Sequence, residues 1–231
     1  MCGRFVLKHD PVSIKEWYGA VSMPRYAARY NIAPGTEIIV IRNTHQGRRG
    51  SLMRWGLVPA WMKERSAVPA LINARGETVA EKPVFRHAFQ RRRCLIPASG
   101  FYEWQAVPGH KTKQPFYISS KDDTPISFAG LWESAASTDG EVTETCTIIT
   151  TLANRALQPV HDRMPVILDR GAWDTWLSLD PVTQDTLKEL IQPGDASRLQ
   201  LWPVSAAVNR TANDSDKLIA PLAAEAQLDL R

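Results

Sequence analysis

Cys2, directly after the initiator Met, has the most unusual chemical potential in this sequence. Removal of Met1 would leave an α-amine and a thiol on one residue. A 1,2-aminothiol reacts with an aldehyde in two stages: the amine adds to the carbonyl and loses water to give a Schiff base, and the thiol then closes a five-membered thiazolidine ring. An α-amine titrates ordinarily at about 7.7 to 8.0 and a thiol at about 8.5, so modest help from Arg4 or His161 would bring both into play near neutral pH. A lone cysteine at position 2 often arises by chance, so the assignment depends on its company. Cys94 and Cys146 lie in the apolar runs RCLIP and TCTIIT and read as small buried strand residues. Three scattered cysteines make no disulfide framework, no spacing suggests zinc, and a reducing compartment fits.

The company appears as motifs whose polar residues have no evident packing purpose: MCGRF at the start, RYNIAPGT at 29–36, LINARGET at 71–78, SGFYEW at 99–104 and HDRMPVIL at 161–168. With WGLVPAW at 55–61, RCLIPASGFYEW at 93–104, FAGLWE at 128–133 and the WPVS…VN run at 202–209, they extend over nearly the whole chain. In their order and joint presence they resemble the SRAP family, the SOS-response-associated peptidases known for sensing abasic sites in DNA.

The resemblance implies that Cys2 supplies both nucleophilic groups, with Asn73, Glu103 and His161 arranged around it. Each assignment has a physical rationale beside an ordinary alternative. The Asn73 amide can orient the amine or the sugar hydroxyl; alone it reads as a turn residue. Glu103, between two aromatic residues, would gain proton affinity from desolvation and could protonate the sugar oxygen to favour ring opening; alone it reads as a surface carboxylate on an alternating strand. His161 suits proton shuttling near neutral pH, with Asp162 or a distant carboxylate setting its tautomer, whereas a lone histidine is more often structural. His9, His45, His87 and His110 are read as structural.

For DNA, Arg4, Arg75 and Arg163 each flank a proposed catalytic residue, and guanidinium forks match phosphate oxygens. Trp61 is a candidate stacking platform, and Lys82 and Arg86 are weaker phosphate candidates. The expected partner is single-stranded DNA containing abasic sites, engaged without metal or cofactor by a monomer, with an associated lyase activity through the Schiff base and self-removal of Met1. Two other readings stand beside this one: a thiol peptidase using Cys2, His161 and Glu103 or Asn73, and a noncatalytic single-stranded DNA-binding module.

The elements that must position these residues intermix strand and helix patterns from end to end. That predicts an α+β fold: one domain over 1–222 with a mixed, largely antiparallel β core, barrel-like by resemblance, surrounded by helices, and a flexible tail over 223–231. TEIIVIRN and SLMRWGL read as a hairpin around a long Gly-containing turn in HQGRRG. CLIPASGFYEW, QPFYISS, PISFAGLWES and TETCTIITT continue the strands, INAR is extended, and RLQLWPVS returns to strand. Helices are predicted in GETVAEKPVFRHAFQRRR, in DRGAWDTWLS, and in PVTQDTLKELIQPG, the last entered through Asp180 and Pro181.

Charge is asymmetric along the chain. Residues 1–100 hold 17 Lys and Arg against 6 Asp and Glu, a net of +11, while 101–231 hold 11 against 18, a net of −7, so the first part is the candidate polyanion surface. The alternative is a solvated face, with Arg91, Arg92 and Arg93 merely ending a helix. No apolar run is long enough for a membrane span and the first residues are charged, so a cytoplasmic location is expected.

Overall fold

The computed structural model describes residues 2–62, 71–136 and 142–222. The predicted tail, 223–231, lies outside the described residues.

The architecture is the α+β fold the patterns predict. Strands β3 (Glu37–Thr44), β4 (Gly47–Trp55), β6 (Arg93–Ala98), β9 (Ile126–Ala136) and β10 (Val142–Leu152) form a closed ring: β10 pairs with β4, β4 with β3, β3 with β6, β6 with β9, and β9 again with β10. The β4–β10 pairing is parallel and the other four are antiparallel. Closure leaves the ring without an open edge. Two short strands attach to opposite edges of β10: β5 (Asn73–Arg75), parallel to it and beyond β4, and β11 (Arg163–Pro165), antiparallel and beyond β9.

A second sheet, antiparallel throughout, has the order β2 (Arg29–Ile32), β1 (Phe5–Leu7), β7 (Gly100–Gln105), β8 (Gln114–Ser120), β12 (Leu199–Pro203). The runs that read as apolar and β-branched build the interior: Ile38 to Ile41 on β3 and Cys146, Ile148 and Ile149 on β10 are all buried. Phe5 joins the sheets by meeting Trp55 edge-on at 5.3 Å between ring centroids and Phe128 at 6.0 Å. Gly100 is required by close approach, because a Cβ there would lie 2.4 Å from the Ile118 carbonyl oxygen. A smaller cluster of Val6, Tyr102, Tyr117, Val204, Val208 and Leu218 packs the segment after β12 against the second sheet.

Helix α1 (Pro11–Tyr18) starts where the Asp10 carboxylate accepts from the backbone N–H of Val12 at 2.9 Å and of Ser13 at 3.1 Å, and it ends on Gly19 in the left-handed region. Helix α2 (Pro83–Arg91) has Pro83 in its first turn, as predicted, and buries Phe85, Ala88 and Phe89. The arginines after it divide: buried Arg93 donates to the carbonyls of Phe89 at 3.0 Å and Ser178 at 2.9 Å, while Arg92 pairs with buried Glu133. Helix α3 (Trp173–Leu177) buries Trp173, Trp176 and Leu177.

Two local expectations are corrected. The β3–β4 turn is short, since Thr44 pairs with Gly47 and leaves only His45 and Gln46 between the strands. Helix α4 (Gln184–Glu189) begins at Thr183, whose hydroxyl accepts from the Thr186 N–H at 3.2 Å, three residues beyond Asp180. Among the described residues, no helix is long and apolar enough to cross a membrane.

Candidate functional site

Four separate pieces of chain bring the chemistry-bearing residues together. Cys2 precedes β1, which runs antiparallel to β7 with Phe5 opposite Phe101. Continuing that register carries the first residues alongside Glu103. Asn73 opens β5, positioned by parallel pairing with Ile148 of β10. His161 ends the segment between β10 and β11, closed by the Ala153 N–H donating to the Asp162 carbonyl at 2.9 Å.

Cys2 is fully buried, and the Asn73 amide donates to its carbonyl oxygen at 2.9 Å. The other half of that amide, Asn73 Oδ1, is buried with no hydrogen-bond partner among the described residues. A buried acceptor left open is costly unless something reaches it, and here it can accept a hydrogen bond from an amine or a sugar hydroxyl. Burial pushes the Cys2 thiol well above its usual range, and the nearby Glu103 carboxylate raises it further. Its resting form is therefore the neutral thiol.

Glu103 is 1% exposed. Burial is the largest influence on it and lifts its pKa from 4.5 to about 7; Asp162 adds to the rise, while Lys113 opposes it. A carboxyl poised there can both give and take a proton near neutral pH. His161 Nε2 lies 3.8 Å from Glu103 Oε2. Burial lowers the His161 pKa, favouring the neutral ring. In that form Nδ1 accepts the Arg163 backbone N–H at 3.0 Å, which leaves the proton on Nε2, facing Glu103. Protonation of Nδ1 would turn it instead toward Asp162 Oδ1, 2.8 Å away.

The candidate DNA contacts do not share one environment. Arg4 is turned inward, donating to Asn31 Oδ1 at 2.8 Å and to the Val208 carbonyl at 2.7 Å. Arg163 forms a two-pronged pair with Glu77 at 2.6 and 2.9 Å and also donates to the Thr150 carbonyl at 2.7 Å. Arg75 is exposed and makes no salt bridge among the described residues. Trp61, 65% exposed, follows β4, and Lys82 and Arg86 are exposed at the start and on the outer side of α2.

Asn31, Glu77, Gln105 and Lys113 also bear on the site, although motif reading did not single them out. Asn31 and Glu77 stand inside RYNIAPGT and LINARGET, so the motifs carried a signal for them. Gln105 and Lys113 carried none, because their relevance comes from pairing between β7 and β8. Among the described residues, no group of three or more His, Cys, Asp or Glu is placed to hold a metal ion.

A closed mixed barrel joined to a second sheet thus carries, on an α+β fold, a buried cysteine at residue 2 beside an amide, a carboxyl and an imidazole. The family model described as SOS response associated peptidase (SRAP) matches residues 1–211. The chain belongs to this SRAP family. Similar curated proteins include the abasic site processing protein YoqW of Bacillus subtilis, 40% identical over 95% of this chain and 99% of that protein. The abasic site processing protein YedK of Escherichia coli is 32% identical over 96% of this chain and 100% of its own. Among solved structures, a protein from Bacteroides thetaiotaomicron shares the fold with a TM-score of 0.86 and 23% identity, over 96% of this chain and 100% of that one.

Proposed function

We propose that this protein captures abasic sites in single-stranded DNA, bonding the open-chain aldehyde covalently to Cys2 after the Met1–Cys2 peptide bond has been hydrolysed by the protein itself. The observation that carries this reading is the grip of Asn73 on the Cys2 carbonyl beside the Glu103–His161 pair, which fixes residue 2 where proton transfer is available. The family relatives named abasic site processing proteins support the substrate class.

The freed α-amine adds to the aldehyde carbon, and the carbinolamine loses water as Glu103, protonated near neutral pH, gives its proton to the departing oxygen. The Cys2 thiol then adds across the C=N bond: sulfur bonds to carbon, and the thiol proton passes through Glu103 or His161 to nitrogen. The net change is the loss of one water. If ring closure is delayed, removal of the proton α to the imine carbon expels the 3′ phosphate by β-elimination, which is the lyase activity. Arg75 and Trp61 are the exposed candidates for holding the strand, with Arg163 joining them if phosphate displaces Glu77.

Intact mass before and after mixing with an abasic single-stranded oligonucleotide tests this. The expected product is protein lacking Met1 plus oligonucleotide minus one water. Cys2→Ala, which keeps the amine once Met1 is removed, should give an imine that borohydride traps but no heat-stable adduct. An undiminished heat-stable adduct from that variant, or no mass gain from the unaltered protein, would refute the proposal.

A further inference from the structure

His161 is carried by a segment that its own internal bonds shape, and it faces β7, the strand that carries Glu103. Asn154 Oδ1 accepts from the N–H groups of Ala156 and Leu157, each at 3.1 Å, and the His161 N–H donates to the Leu157 carbonyl at 3.0 Å. Asn154 Nδ2 ties the start of the segment to the Gly194 carbonyl at 2.7 Å. From β7, Gln105 reaches this segment: its Nε2 donates to the Pro159 carbonyl at 2.8 Å. The acceptor is a carbonyl oxygen, so the amide can face it only through nitrogen.

Gln105 and Glu103 are two residues apart on β7 and project from the same face of the strand. Pro159 is two residues before His161. The strand bearing the carboxyl thus also grips the segment bearing the imidazole, close to both groups. We propose that Gln105 is a positioning residue that holds His161 at its working distance from Glu103. At 3.8 Å the two groups are just beyond direct hydrogen-bond range, so proton exchange requires a small, directed approach. Misplacement by about 1 Å can slow such a step roughly a hundredfold.

The inference rests on the capture reading for its consequence in rate, but the tether can be tested without it. The charged groups facing His161 among the described residues are Glu103 from β7, Lys113 just before β8 and Asp162 on its own segment. Burial is what depresses the His161 pKa, so loosening the segment and admitting water should let it rise.

Gln105→Met keeps length and shape and removes the donor. Expected are an upward move of the His161 titration midpoint, read from its imidazole NMR signals, and crosslinking with abasic single-stranded DNA at least about fivefold slower, within the range misplacement allows. Affinity for the same DNA carrying no lesion, and the thermal midpoint, should stay near those of the unaltered protein. Gln105→Lys, which restores an N–H donor at similar reach, should recover most of the rate. An unmoved His161 midpoint in Gln105→Met, or a Gln105→Lys protein as slow as Gln105→Met, overturns the assignment. If the unaltered protein forms no crosslink, the capture reading fails, and the His161 titration in Gln105→Met still decides the tether.

Discussion

Replacing Glu103 with Gln should change how stability depends on pH, and the burial of this carboxyl sets the size of the effect. In the unfolded chain Glu103 titrates near its ordinary 4.5; in the fold, burial raises it to about 7. Between those values the folded protein binds a proton that the unfolded chain has released, so stability contributed by the neutral carboxyl is complete below pH 4.5 and is lost as pH rises through 7. At about 1.36 kcal/mol for each pH unit, the full loss is about 3 kcal/mol. The substituted amide would mimic the neutral acid at every pH. The stability difference between Glu103→Gln and the unaltered protein should therefore climb by about 3 kcal/mol in favour of the variant from pH 4 to pH 8, whatever constant offset the amide brings. Urea denaturation of both proteins across this range measures it, with the pH-dependent part of the difference isolating residue 103. The same variant should form crosslinks poorly, having lost the proton donor. A difference that stays flat with pH would refute burial as the source of the Glu103 shift.

Arg4→Ala should lower stability by about 2 kcal/mol in denaturant unfolding, since it removes charged hydrogen bonds that tie β1 to Asn31 and Val208. Arg75→Ala should leave stability unchanged but reduce the log–log salt slope of single-stranded DNA binding by about 0.7, the signature of one lost phosphate contact; an unchanged slope would remove Arg75 from the interface. Gly100→Ala should abolish accumulation of folded protein, judged by soluble yield and circular dichroism, because the added methyl would collide with the Ile118 carbonyl of the backbone as well as with the buried Tyr117 ring.

Fold class was legible because the long strands β3 and β10 are rich in β-branched residues, β9 continues the strand pattern with an apolar start, and α2 has helical spacing behind Pro83. The three-residue strands β1, β5 and β11 are too short to show periodicity, and pairing with distant partners alone makes them strands. Helix α1 carried readable signals, Asp10 with Pro11 at its start and Gly19 at its end, yet its eight residues offer only a weak apolar face. The motifs singled out Cys2, Asn73, Glu103 and His161, which the fold brings close to one another. What the motifs could not convey was how each arginine is used. Adjacency to a catalytic residue suggested phosphate contact for Arg4, Arg75 and Arg163 alike, whereas the fold supplies Arg4 with carbonyls from residues some two hundred positions away and Arg163 with the Glu77 carboxylate. Side-chain type reports charge; tertiary structure determines whether that charge is already spoken for.

One strand connects the reactive groups to the barrel. Along one edge β10 pairs with β4 and then with β5 at Asn73–Arg75, and along the other with β9 and then with β11 at Arg163–Pro165. Asn73 and the segment bearing His161 therefore take their positions from the same short stretch of backbone. A slip of one residue in β10 would exchange its inward and outward faces and move both groups together, leaving Cys2 and Glu103 behind on the second sheet. Ring closure opposes such a slip, because β10 is held on one edge by β9 through seven paired positions and then by β11, and on the other by β4 and β5 in succession. The closed barrel thereby fixes half of the site against the other half, and the remaining adjustment between Glu103 and His161 is left to contacts as local as the one between Gln105 and Pro159.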